Sequence, residues 1–122
     1  MNGIYLHILL HKVTVEKYLN KCKGYFNILN HQVIIEKIRE IEEHILNKYS
    51  IHSKIPQYKI YEQMCNGFIF CDNLEETNEN IILKISGIWE NDKYYGLTYK
   101  FYKPAKVYDS NHLSYNMSKW CK

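Results

Sequence analysis

The sequence predicts a single α+β domain spanning residues 1–122. An antiparallel sheet of four to six strands is expected, covered on one face by one long and one short helix. Three observations carry this expectation. The stretch "HQVIIEKIREIEEHILNKYS", residues 31–50, repeats its apolar residues at helical spacing. After Pro56 the period changes from helical to extended. Helices come early and hairpins late, which argues against a parallel doubly wound sheet. The length of 122 residues suits one unit with a core of its own.

Residues 3–10 are short, apolar and rich in Ile and Leu, as a buried strand is. A short helix is predicted over 15–23. Thr14 is placed as its N-cap, Val15, Tyr18, Leu19 and Cys22 fall on one helical face, and Gly24 stands where a left-handed C-cap is wanted. Residues 25–29, "YFNIL", read as a short strand or an apolar linker. In the long helix Ile34, Ile38, Ile41 and Ile45 form one stripe, widened by Ile35 and Leu46. That stripe is expected to bury against Leu83, Ile85, Leu97 and Phe101. Asn30 can cap the start, and Arg39 with Glu43 makes an i,i+4 pair on the polar face.

"QYKIYEQMC" and "FIFCD" flank Asn66-Gly67, the pair preferred in a two-residue hairpin turn, so a hairpin is predicted there; the alternative is a helix over 57–64. The hairpin register sets Cys65 and Cys71 on opposite faces. "DNLEETNEN", residues 72–80, carries four acids and no base and reads as a solvated loop. It lacks the glycine and alternating oxygen ligands of a calcium loop. Residues 81–101 predict a second hairpin, with Leu83 across from Phe101, Ile85 from Tyr99 and Trp89 from Tyr95 around a five-residue loop at 90–94. Gly87 and Gly96 mark a bulge or a close backbone approach. A short edge strand at "AKVY" and a polar tail anchored by Trp120 are expected within 105–122.

The chain is 46% hydrophobic and 24% charged, which fits a globular protein, and its formal charge of +3 is modest for a dedicated duplex binder. Arg39 is the only arginine and Ala105 the only alanine. The excess of Asn, Ile, Lys and Tyr is what an AT-rich genome encodes, so clustering is more telling than abundance. "IYLHILL" is too short to span a bilayer and has neither a basic segment before it nor a cleavage site after it. A soluble intracellular protein is therefore expected. The four cysteines form no CxxC pair and are expected as free thiols. Neither GxGxxG, GxxxxGK[ST], GxSxG nor HExxH occurs. His7 and His11 would lie about 13 Å apart on a strand, too far to share a metal ion. No catalytic residue, cofactor or metal site is expected.

The concentrated feature is "KYYGLTYKFYKPAK", residues 93–106. Lys93, Lys100, Lys103 and Lys106 stand among five aromatic rings with no acid between them. Single-stranded nucleic-acid sites combine rings for base stacking with cations that follow the backbone. The expected site is Lys93, Tyr94, Lys100, Tyr102, Lys103 and Lys106. The plainer alternative is a hairpin that packs its rings inward and solvates its lysines. The rival class of function is a protein-interaction or virion-assembly module, with the chain itself or a viral or host protein as partner.

The segment "LKISGIWENDKYYGLTYKF", residues 83–101, resembles a short block of uncharacterised small proteins of large nucleocytoplasmic DNA viruses. In them a Gly-Ile-Trp precedes a turn and a Gly-Leu-Thr-Tyr-Lys-Phe-like strand. The resemblance implies a viral or virus-derived origin, acting in the host cytoplasm or nucleus. It implies no established activity and no catalytic residue.

Overall fold

The protein is described by a computed structural model over residues 3–104. In chain order these form β1 (Ile4–Tyr18), β2 (Lys21–Tyr25), a 3-10 turn (Ile28–His31), α1 (Gln32–Lys48), β3 (Ile55–Gln57), α2 (Lys59–Cys65), β4 (Phe68–Cys71), β5 (Thr77–Glu90) and β6 (Tyr94–Tyr102). The six strands make one sheet in the order β3-β6-β5-β1-β2-β4. The architecture is α+β as expected, but the sheet is mixed: β3 runs parallel to β6, and the other neighbours are antiparallel. Pro56 is accommodated because β3 is an edge strand. The edge strand expected at "AKVY" and the tail with Trp120 lie outside the described residues, as does Lys106.

β1 continues well past the predicted strand, so the helix expected over 15–23 is instead a hairpin. Val13 and Val15 alternate toward the core, the two strands close at the Tyr18–Lys21 pair, and β2 returns with Cys22 and Gly24 inward. The apolar residues of this stretch fit a period of two as well as a helical one, and pairing with the sheet decides between them. Gly24 is not a helix cap. A Cβ there would lie 2.8 Å from Leu74 Cδ1 and 3.1 Å from Val13 Cγ1, so the glycine serves close packing. β1 bends where its pairing with β5 shifts, between Leu10 and Val13, with Lys12 at φ +54. The backbone groups freed by the bend are satisfied: His11 N–H donates to His31 Nε2 at 2.9 Å and Lys12 N–H to Asn78 Oδ1 at 3.2 Å. The sheet curls until β4 touches β6, and α2 packs on both.

α1 follows the predicted stripe. Ile35, Ile38, Ile45 and Leu46 are buried, and Ile34 and Ile41 are partly buried against the same core. Leu83, Ile85, Leu97 and Phe101 form the inner face of the sheet, all buried. Asn30 does not cap this helix. Asn27 caps the preceding 3-10 turn by accepting from Leu29 N–H at 2.8 Å, and that turn leads directly into α1. Arg39 bridges Glu43 at 2.7 Å and also Glu36, pairs that in solvent contribute little.

The hairpin predicted around Asn66-Gly67 is overturned: residues 59–65 are helical, the alternative reading of that stretch. The deciding residue is Glu42, buried on α1, whose carboxylate accepts the backbone N–H groups of Ile60 at 3.1 Å and Tyr61 at 2.9 Å. These belong to the unsatisfied first turn of α2, so one helix caps another. Burial pushes the Glu42 carboxyl above its usual range, opposed by those two N–H groups. Gly67, at φ +77, then ends α2 as a left-handed residue, and β4 begins at once.

The acidic stretch 72–80 is not wholly a loop. β5 starts at Thr77, Glu79 pairs with Leu10 and is buried, and its carboxylate accepts Glu75 N–H at 2.6 Å. In the second hairpin Leu83 faces Phe101 and Ile85 faces Tyr99, as predicted. A bulge between Ile85 and Gly87 then shifts the register, so Trp89 faces Gly96 and Glu90 faces Tyr95. The expected Trp89–Tyr95 pair and five-residue loop are thereby corrected. The Asn91 side chain holds the turn, accepting Lys93 N–H at 3.0 Å and Tyr94 N–H at 2.8 Å.

Candidate nucleic-acid interface

Alternation along β1, β5 and β6 assigns each residue to the core or to the outer face. Ile8, Leu10, Ile81, Leu83, Ile85, Leu97 and Phe101 point inward, and the residues between them point outward. Two outward rows cross the three strands. Tyr5 faces Lys84, which faces Lys100; two residues along, His7 faces Ile82, which faces Tyr102. Lys84 Nζ stands 5.6 Å from the centroid of the Tyr5 ring. Ile82 is fully buried at the middle of the second row. Burial, with Tyr5 nearby, raises the Tyr102 phenol above its ordinary value. None of the outward positions of β1 from Tyr5 to Leu9, of β5 from Asn80 to Ser86, or of β6 from Thr98 to Tyr102 is acidic. Further along this face Trp89 lies over Gly96, where a Cβ would come within 2.9 Å of the indole Cζ2.

The six residues predicted from sequence are not all brought together. Lys100 is exposed and Tyr102 half-buried on the outer face. Lys103, just past β6, is held 3.3 Å from the buried Glu79 carboxylate, so its charge is already matched. Lys100, Tyr102 and Lys103 do share a cleft of about 450 Å³, with Cys71 and Asp72 on its far side where β4 ends. Lys93 and Tyr94 are exposed at the opposite end of the hairpin. Six residues of strand separate Tyr94 from Lys100, about 20 Å. Lys106 lies outside the described residues.

Sequence reasoning missed Tyr5 and Lys84. Signals for both were present: Tyr5 falls in the outward phase of "IYLHILL", and Lys84 is the one charged residue in the apolar run "IILKI". It also missed a second cluster, on the outer face of β2 and β4. There Lys23 Nζ sits 4.2 Å from the Phe68 ring centroid, 5.0 Å from Tyr25 and 5.6 Å from Phe70. Tyr25 and Phe70 are exposed, and Glu16 is the cross-strand neighbour of Lys23.

The buried His31 has both ring nitrogens engaged, Nε2 by His11 N–H and Nδ1 by Asn27 O at 2.6 Å, so its place is structural. His7 differs: its Nε2 is buried without a hydrogen-bond partner, and burial lowers its pKa. Among the described residues no group of three or more His, Cys, Asp or Glu stands where it could hold a metal ion, and no helix is long and apolar enough to cross a membrane. No protein-family model, curated protein or solved structure matches the chain.

Proposed function

We propose that this is a small non-enzymatic binding protein that takes single-stranded nucleic acid across the outer face of β1, β5 and β6. The observation that carries the reading is the row Tyr5–Lys84–Lys100 beside Tyr102, with no acid at the neighbouring outward positions of the three strands. Lys84 and Lys100 form no ion pair among the described residues; Lys84 lies against the Tyr5 ring and Lys100 is exposed, and neither charge is neutralised by a carboxylate there. Tyr102 offers a ring to a base. Stacking of this kind is tolerant of sequence, because every base has a π-face. The viral resemblance of residues 83–101 belongs to the same proposal, with the strand bound inside the infected cell.

The test is fluorescence anisotropy with single-stranded DNA and RNA oligonucleotides over a salt series. Affinity is expected to fall with salt, and Lys84→Gln with Lys100→Gln to remove about 1.4 from the logarithmic slope, at about 0.7 per phosphate. Tyr102→Ala is expected to weaken binding by about 1–3 kcal/mol. No binding at low salt, or a double variant that binds as the parent does, overturns the proposal.

A second reading is favoured by one observation. β4 is the last strand of the sheet and presents the exposed Phe70 beside Tyr25 and Phe68. Exposed rings at a sheet margin suit a protein partner. Sedimentation of the parent and of Phe70→Ser separates the readings: only an association surface makes the solution mass depend on Phe70.

A further inference from the structure

Cys22 and Cys71 are distant in sequence, yet the pairing of β2 with β4 sets them directly opposite one another. Both point inward, in phase with the neighbouring Gly24–Ile69 pair, and are 7% and 3% exposed. Cys22 Sγ lies 3.9 Å from the carbonyl oxygen of Asp72, the residue after Cys71, so its sulfur is directed at the end of the opposing strand. Both are free thiols. Opposed residues of an antiparallel pair have Cα atoms about 4.5–5.5 Å apart. A disulfide accepts Cα separations of about 4.4–6.8 Å, so strand pairing already supplies the spacing.

We propose that Cys22 and Cys71 are a modification site, a thiol pair that closes to a cross-strand disulfide when it meets a low-molecular-weight disulfide oxidant. Each thiol lines a cleft, Cys22 one with Lys21 and Leu74 and Cys71 the one shared with Lys100, Tyr102 and Lys103, so either can react first. The two orders are equivalent. In the one that begins at Cys71, its thiolate attacks one sulfur of the oxidant; a mixed disulfide forms and one small thiolate leaves. The Cys22 thiolate then attacks the Cys71 sulfur and expels the second small thiolate. The protein gives up two electrons and two protons, and the oxidant ends as two thiols. Burial disfavours the Cys71 thiolate, with Lys103 and the Asp72 and Asn73 backbone acting the other way, so closure at neutral pH is slow. The bridge ties β4 to β2 on the inner side, beneath the Lys23 cluster that the same strands carry outside.

The experiment incubates the full chain with oxidised glutathione, blocks remaining thiols in denaturant and maps the peptides by mass spectrometry. The expected result is loss of two of the four thiols, one cross-link joining Cys22 to Cys71, and recovery of both with dithiothreitol. Cys65→Ser is expected to lose the same two. Cys22→Ser is expected to stop at a glutathione adduct on Cys71; the parent mapping stands alone if that variant does not fold. No thiol loss, a cross-link through Cys65 or Cys121, or a stable adduct on parent Cys71 without a cross-link overturns the proposal.

Discussion

The two halves of the sheet share β1 but use the same kinds of residue differently. In the half formed with β5 and β6, Lys84 and Lys100 stand beside Tyr5 and Tyr102 with no acid at the neighbouring outward strand positions. In the half formed with β2 and β4, three rings gather around Lys23, which also has Glu16 beside it. The first arrangement gives Lys84 a single ring and leaves Lys100 exposed; the second surrounds its one lysine with three rings. Rings interleaved with lysines therefore do not define a site. What matters is whether each charge already has a partner.

The largest expected effects test whether the halves are one cooperative unit. Leu83→Ala in the first and Ile69→Ala in the second each remove a fully buried side chain, at a cost of about 2–5 kcal/mol. Both should shift a single urea transition. A second transition seen only with Ile69→Ala would mean that the β2–β4 half opens by itself. Glu42→Ala comes next, because it strips the cap from α2, the helix that packs on both β4 and β6. Two N–H groups lose their acceptor, and a loss of about 2–3 kcal/mol is expected. Glu42→Gln should recover part of it, since the amide oxygen still accepts.

Each half also contains one glycine wedged by its neighbours. A Cβ at Gly96 would meet the Trp89 ring at 2.9 Å and the Gln57 backbone carbonyl at 3.0 Å. At Gly24 it would meet aliphatic side chains alone, Leu74 at 2.8 Å, Val13 at 3.1 Å and Ile69 at 3.9 Å. Backbone and indole yield less than aliphatic side chains, so Gly96→Ala is expected to cost about 1–3 kcal/mol and Gly24→Ala less. Thermal melts of both variants give the order; the reverse order would mean that the β2–β4 half is the more rigid.

The halves differed in legibility for a physical reason. The β5–β6 hairpin pairs residues close in sequence, and the alternation of Ile81, Leu83 and Ile85 against Leu97, Tyr99 and Phe101 sets its register. Only the bulge at Ser86 escaped; Gly87 marked it without revealing which pairs it would shift. β2 and β4 find each other across the whole of α1 and α2, so nothing local to residues 15–25 separates strand from helix. The cap on α2 comes from Glu42, seventeen residues before Lys59, and a side chain that distant cannot be read as a cap signal. Of the outer face, Lys100 and Tyr102 were legible as an alternating pair on one strand. Tyr5 and Lys84 join them only once β1, β5 and β6 lie side by side.

The smallest expected effect belongs to His7, on the outer face of the first half. Its Nε2 is buried without a partner and burial lowers its pKa from 6.5, whereas both nitrogens of His31 are engaged. With the folded value below the unfolded one, the unfolded chain takes up the proton first as pH falls. His7 thus contributes stability that is fully present above about pH 6.5 and is lost as pH drops through the folded value. Urea midpoints of the parent and of His7→Leu, compared from pH 8 to pH 5, should diverge on the acid side, where the parent loses more ground than the variant. Parallel midpoints across the range would mean that the ring reaches water. The proposed nucleic-acid ligand would reverse the sign of the effect: a phosphate brought to the neighbouring row by Lys84 and Lys100 would favour the protonated imidazole, so on that proposal affinity increases toward pH 5. In His7→Leu that acid-side gain should vanish while binding at pH 8 persists, which separates a histidine that responds to the ligand from one that only packs.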